Sequence, residues 1–270
     1  MSKPKVSFVI PVFNTHPWLV QDAIDSCLFQ IGIESEIIVV DDGSTTRWYD
    51  TVELDDFRIK FFKLETNQGV AVAWDRGIKE STSDYVCPMA ADDFLHPDKT
   101  ILQLELMKQA KVEFSYTGYR ELFFNDQDQL TQIRTHGVKN VPENDGKQVF
   151  LKLTEGDYCN NFINGASVIM AKEVYNSTPG YDPALRYKQD YDLWLQIAHR
   201  HKILGVPFNL MTRRIHSNQA KYFFSKDKEL NETTRRTKEY ALIKLKWEDS
   251  VFPVVHPAVD VDLLKQMGYN

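Results

Sequence analysis

The stretch that decides the fold is VSFVIPVFN at residues 6–14, read together with EIIVVDDGST at 36–45. Each opens on a run of β-branched or aromatic residues and stops at a turn-forming one, Pro11 in the first and Asp41-Asp42-Gly43 in the second. Near-continuous apolar runs suit strands covered on both faces, because a half-wet strand would alternate apolar with polar. Arg58 to Leu64 and Tyr85 to Met89 read as two further strands. Between them, Trp18, Ile24, Cys27, Leu28 and Ile31 recur with helical spacing, as do Val70, Val72, Ala73, Gly77 and Ile78. Strand and helix in alternation predict right-handed βαβ units and a largely parallel sheet.

Past Asp98 the pattern changes. Lys99 to Lys111 reads as a helix with Leu102, Leu106 and Met107 on one face, and residues 112–136 as extended chain with a hairpin at Asn125-Asp126. Val138 to Gly146 (VKNVPENDG) has the chemistry of an exposed loop. Tyr187 to His201 reads as an amphipathic helix through Tyr191, Trp194, Leu195, Ile197 and Ala198, and its two Trp and Tyr rings as core. A long charged helix is expected from Ser225 to Trp247; its mixed Glu and Lys favour a solvated face over a membrane-surface one.

The 270 residues are 43% hydrophobic and 26% charged, which excludes disordered, collagenous and low-complexity classes. A net charge of −6 gives no electrostatic support for nucleic-acid binding. Cys27, Cys87 and Cys159 are odd in number and scattered, so no disulfide framework or cysteine-rich zinc site is indicated. The apolar start is broken by Ser7 and Pro11 and lacks a small-residue cleavage site, unlike a secretory signal. No stretch approaches the ~18 apolar residues of a membrane span. The expectation is a soluble, cytoplasmic protein.

In an open α/β sheet, ligands bind beyond the carboxyl ends of the strands. Predicted strands end there in Pro11-Val12-Phe13-Asn14, in Asp41-Asp42-Gly43-Ser44 and in Asp92-Asp93. Acidic pairs converging on one edge repel, and a hard divalent cation with oxygen ligands, Mg²⁺ or Mn²⁺, relieves that. DDGS by itself is equally a side-chain turn.

Taken in order, VSFVIPVFN, EIIVVDDGST, TNQGVAVAWDRGI, DYVCPMAADDFLHP and YKQDYDLWLQIA resemble the motifs of the inverting family-2 glycosyltransferases, across residues 5–216. The resemblance implies the α/β fold called GT-A: a Rossmann-like, mostly parallel sheet flanked by helices, with one antiparallel strand and C-terminal acceptor-side additions. It divides the chain into a GT-A domain at 1–216, with a nucleotide-sugar half at 1–98 and an acceptor half at 99–216, and a helical extension at 217–270. By the same resemblance Pro11, Phe13 and Asn14 line the nucleoside pocket and Asp42 accepts a hydrogen bond from the base. Uracil N3–H is a fitting donor. Asn67, Gly69 and Arg76 border the base and diphosphate, Asp92 lies near the ribose, and Asp93 ligates Mn²⁺ or Mg²⁺. Asp190 matches the catalytic base, with Asp192 on another helix face as an exposed or capping carboxylate. His216, in TRRIHSNQAKY, ligates the metal or contacts the diphosphate, helped by Arg213, Arg214 or Lys221; the alternative is a surface histidine.

The implied activity is metal-dependent transfer of a sugar from a nucleotide diphosphate, UDP first among them, to a hydroxyl of a carbohydrate or lipid-linked glycan acceptor. A lipid-linked acceptor would bring the protein to the inner face of a membrane. The chain departs from the family pattern at Ala90, where an acid is common, and at Gln189, where Glu is. Those departures keep a non-catalytic sugar-nucleotide-binding subunit as the alternative. A sugar-1-phosphate nucleotidyltransferase shares the sheet but needs a glycine-rich loop after the first strand, where PVFNTHP has no glycine.

Overall fold

The computed structural model describes residues 3–138, 148–150, 153 and 161–216, together with the helical positions 239, 243 and 247. Nine strands form one sheet: β1 (Lys5–Val12), β2 (Glu34–Asp41), β3 (Ile59–Lys63), β4 (Tyr85–Pro88), β5 (Phe94–Leu95), β6 (Phe114–Phe124), β7 (Leu130–His136), β8 (Val168–Ala171) and β9 (Leu204–Ile215). Their order is β3-β2-β1-β4-β8-β6-β9-β5, with β7 paired to β6. The first four strands are mutually parallel, as the unbroken apolar runs predict. β6 pairs with β9 in parallel, while β8, β7 and β5 each run against their neighbours. The sheet therefore has three antiparallel members rather than the one expected. β5 and β8 are only two and four residues long, too short to leave a periodic signal.

Among the described residues, helices α1 (Pro17–Leu28), α2 (Val70–Glu80), α3 (Lys99–Ala110), α4 (Lys172–Asn176) and α5 (Gln189–Ala198) pack on the sheet. β1 shows why both faces are dry. Phe8 and Ile10 meet Ile37, Val39 and the α1 and α3 side, whereas Val9 meets Ile38, Val40 and the α2 and α5 side. α2 sits close because Gly77 has no side chain, and a Cβ there would collide with Val9.

Three helical faces differ from expectation. α1 buries Leu19, Val20, Ala23, Ile24 and Cys27, so Trp18 is half-exposed and Ile31 lies beyond the helix. α3 buries Lys99, Thr100 and Gln103 beside Leu104 and Met107, not Leu102 and Leu106. Its polar side chains bond to other elements: Gln103 donates to Ser115 Oγ (3.0 Å) and Ser167 O (3.1 Å), and Thr100 to Gln30 (2.7 Å). α5 is buried almost all round, with its Trp194 and Tyr191 donating to Ile163 O (3.2 Å) and Leu153 O (3.0 Å) as core residues. The hairpin at Asn125 is present, with Asn125 Oδ1 accepting from Gln127 N (3.0 Å) and Gln129 N (2.9 Å). Cys27 and Cys87 are free and buried. The 138–146 loop beyond Val138, Cys159 and nearly all of the 225–247 helix lie outside the described residues. Among those residues, no helix is long and apolar enough to cross a membrane.

Candidate active site

A cavity of about 1070 Å³ opens at the carboxyl ends of β1, β2 and β4. Pro11, Phe13, Asn14, Asp42, Asn67 and Gly69 line its donor-half wall. Asp92 and His216 line it as well. Arg76, Asp93 and Asp190 do not. Arg76 lies on the outer side of α2, 2.9 Å from Glu80 and over the Phe62 ring.

Asn14 adopts a left-handed backbone (φ 51°), a conformation Asn tolerates better than most residues. Its amide donates to Ser44 Oγ (2.9 Å), and its side-chain oxygen accepts from the backbone of Thr45 (2.9 Å) and Thr46 (3.3 Å). The β1 and β2 loops are thereby joined. Asp41 and Asp42 divide the two readings of DDGS between them. Asp41 is buried and closes a local turn by accepting from Ser44 N (2.9 Å). Asp42 accepts from Gln68 N (2.7 Å), Gly69 N (2.9 Å) and Asn67 Nδ2 (2.9 Å), fixing the loop ahead of α2. Burial nonetheless pushes its pKa up against those bonds and the nearby Arg186 charge. Gly69 has φ 98°, and a Cβ there would strike the Arg186 guanidinium, so that cation and the Asp42 loop touch.

Asp92 and Asp93 also part company. Asp92 faces the cavity, with His216 Nε2 3.4 Å from its Oδ2. That His216 nitrogen is buried and makes no hydrogen bond among the described residues. Asp93 turns inward, accepts from Arg214 N (3.1 Å), and is held well above the usual carboxylate range by burial and by Asp92. Its inward turn separates it from the cavity-facing place expected of a metal ligand. Arg214 is engaged too: it pairs with Asp22 (2.6 Å) and lies over the Trp18 and Phe94 rings. Arg213 pairs with Glu121 (3.2 Å), which also meets His136 (2.8 Å). Lys221 lies outside the described residues.

Asp190 heads α5, one residue from the cavity-lining Gln189, and is partly exposed. Its oxygens accept from Tyr191 N (2.7 Å) and Asn161 Nδ2 (3.1 Å). Burial raises its pKa despite them, which makes the carboxylate a stronger proton acceptor. Asp192 is not exposed or capping: it is fully buried and accepts from Gln196 Nε2 (2.7 Å). The period of α5 hides this because apolar neighbours surround it on every side. Trp74 packs in the core as expected, donating to Met89 O (3.2 Å), yet also lines the cavity. Arg186 and Tyr187, just ahead of α5, belong to the wall and carry no motif that marks them. No group of three or more His, Cys, Asp or Glu suited to a metal occurs among the described residues.

The family model described as "Glycosyl transferase family 2" matches residues 7–163. A Rickettsia felis protein described as an uncharacterized glycosyltransferase is 36% identical over 214 residues, covering 78% of this chain and 33% of its own. A Bacillus subtilis protein, TuaG, named for teichuronic acid biosynthesis, is 31% identical over 201 residues, 73% of either chain. The chain spans about a third of the length of the first two Rickettsia relatives. Staphylococcus aureus TarS, crystallised in complex with UDP-GlcNAc, superposes with a TM-score of 0.67 over 92% of this chain and 67% of its own, at 13% identity. That likeness is one of fold, the GT-A arrangement of a mostly parallel sheet flanked by helices. The motif order, the edge at which the acidic residues gather and the match over more than half its length show that the chain belongs to glycosyltransferase family 2.

Proposed function

We propose that the protein transfers a sugar from a nucleoside diphosphate, with UDP as the carrier, to an acceptor hydroxyl with inversion at the anomeric carbon. The observation that carries this reading is the Asp42 clamp and the Asp92–His216 pair on one strand-end cavity, with Asp190 directly behind its lining residue Gln189. In it, Phe13 and Asp42 hold the base. Asp190 takes the proton from the acceptor hydroxyl as that oxygen attacks, and its raised proton affinity suits the task. The displaced nucleotide leaves from the opposite face of the sugar.

The donor set fits a divalent cation. His216 Nε2 is buried, makes no hydrogen bond among the described residues and lies 3.4 Å from an Asp92 carboxylate oxygen, a nitrogen and an oxygen donor of the kind such an ion takes. Asp92 and His216 would hold Mn²⁺ or Mg²⁺, in place of the Asp93 expected from sequence. Bound there, the ion supplies positive charge for the diphosphate leaving group. Arg186, on the same wall, is placed to add its own charge.

UDP as carrier is supported by the TarS complexes with UDP and UDP-GlcNAc. A glycan acceptor in surface polysaccharide synthesis is supported by the naming of TuaG and of an Escherichia coli chondroitin synthase, 26% identical over 202 residues. Thermal shift against a panel of nucleotide sugars, with and without Mn²⁺, tests the reading. UDP-sugars should raise Tm, more so with Mn²⁺, since a ligand of the native state stabilises it. His216→Ala should abolish the Mn²⁺ increment while sparing the rise with UDP alone. A panel in which no nucleotide sugar shifts Tm would overturn the proposal.

A further inference from the structure

The chain between Leu185 and α5 carries the wall residues Arg186 and Tyr187 and leads directly into Gln189 and Asp190. Its backbone is held from outside the acceptor half. Glu239 Oε1 accepts from Arg186 N (2.8 Å), and its Oε2 from Tyr187 N (2.9 Å) and Lys188 N (3.1 Å). The Glu239 side chain is buried. Such N–H groups ahead of a helix have no intrahelical acceptor, and a charged acceptor bonds them about twice as strongly as a neutral one.

The anchoring extends along α5. Positions 239, 243 and 247 are four residues apart and helical, so they lie on one face. Ile243 joins the core, and Trp247 meets Phe150 and His199 at 5.5 Å between ring centres. Glu239 thus sits at the head of α5 and Trp247 at its tail. This helix face runs beside α5 in the same direction, with a carboxylate at the one end where α5 meets the cavity.

We propose that Glu239 is a positioning residue for sugar transfer, gripping the Arg186–Lys188 backbone so that Arg186 stands against the Asp42 loop and Asp190 faces the acceptor. This rests on the donor site and base proposed above. An apolar contact would serve packing alone; a buried carboxylate with three aligned N–H donors fixes the backbone's orientation as well as its place. The family match ends at residue 163, so the grip comes from a part of the chain that the shared motifs do not cover.

The test is the pair Glu239→Gln and Glu239→Ala in the full chain, with UDP-sugar kinetics, UDP affinity by calorimetry and Tm. Gln keeps one oxygen for Tyr187 and Lys188 but turns its amide toward Arg186 N–H, donor against donor. It should raise donor KM about 3–10-fold through Arg186 while kcat stays within about 2-fold. Ala frees all three N–H groups, and kcat should fall about 10–100-fold as well. A purely structural role would lower Tm in both variants and leave the KM and kcat of the folded fraction unchanged, and that result overturns the proposal. Should the Ala variant fail to fold, the Gln variant decides alone: an unchanged donor KM overturns it. A wild-type protein that binds no UDP and transfers no sugar overturns the reading beneath it; an active wild type with indifferent variants overturns only the role of Glu239.

Discussion

Around Asp42 the hydrogen bonds stay within residues 1–98: Asn14 to Thr45 and Thr46, Asp42 to Asn67, Gln68 and Gly69. Around Asp190, apart from the neighbouring Tyr191 N–H, the ties come from farther along the chain. Asn161 reaches one oxygen, Glu239 grips the preceding backbone, and Arg213 spends its charge on Glu121 in β6. The donor wall is loop backbone held by neighbouring loops. The acceptor wall is a set of charges placed by side chains distant in sequence. Substitutions on the first should act on binding and stay local; those on the second should act on the reaction.

The largest expected effect breaks that comparison if it fails. Asp190→Asn is nearly isosteric, so donor affinity should hold while transfer falls by about 10²–10⁴-fold. The pH profile sharpens it. A base must be ionised, and burial raises the pKa of Asp190, so the wild-type rate should climb as pH rises through a value above the usual carboxylate range. The Asn variant should lose that limb. Rates measured across pH with saturating donor check both, and a wild-type rate in the variant would put the base at another residue.

Next is Asp42→Ala on the donor wall. It strands Asn67 and two backbone N–H groups, at about 1–3 kcal/mol for a buried group left unpaired. Donor affinity should drop about 10–100-fold by calorimetry, with kcat at saturating donor within a few-fold of wild type. A kcat loss matching that of Asp190→Asn would erase the distinction between the walls.

Asp192→Ala comes third. It leaves the Gln196 amide with Gly180 O alone and opens a small void, at about 1–3 kcal/mol of stability. Denaturant melts should show that loss, while the kcat of the folded enzyme stays near wild type. Smallest is Arg76→Ala. An exposed pair four residues apart on a helix contributes about 0.3–0.5 kcal/mol, and the side chain does not reach the cavity. Donor KM should not move.

The nucleotide half was the more legible in sequence for a physical reason. Its strands are buried on both faces, so β1 and β2 appear as apolar runs, and each ends at a residue the site uses. Seven of its expected residues, Asn14 and Asp42 among them, accordingly line one cavity. In the acceptor half the same rules misread polar residues. Lys99 and Gln103 are buried because Val168 O, Ser115 and Ser167 receive their protons. Asp192 is buried because it accepts from Gln196 Nε2 on the next turn of α5. For Lys99 and Gln103, no local pattern announces Val168 or Ser167, each more than 60 residues away. Nor does sequence distinguish Asp92 from Asp93, since adjacent residues point apart and only the Arg214 backbone selects which one turns inward.

On the proposed reading, in which Asp42 holds the base, its clamp also bears on nucleobase selection. A carboxylate offers about four acceptor positions, and Asn67, Gln68 and Gly69 occupy three. The fourth suits a ring with one in-plane N–H, as in uracil. Cytosine presents a lone pair at the corresponding ring atom and would repel the ionised acid. Because burial raises the pKa of Asp42, acidification makes that same position a proton donor sooner than at an exposed aspartate. Discrimination between the two pyrimidines at this site should therefore weaken as pH falls, with no residue moving.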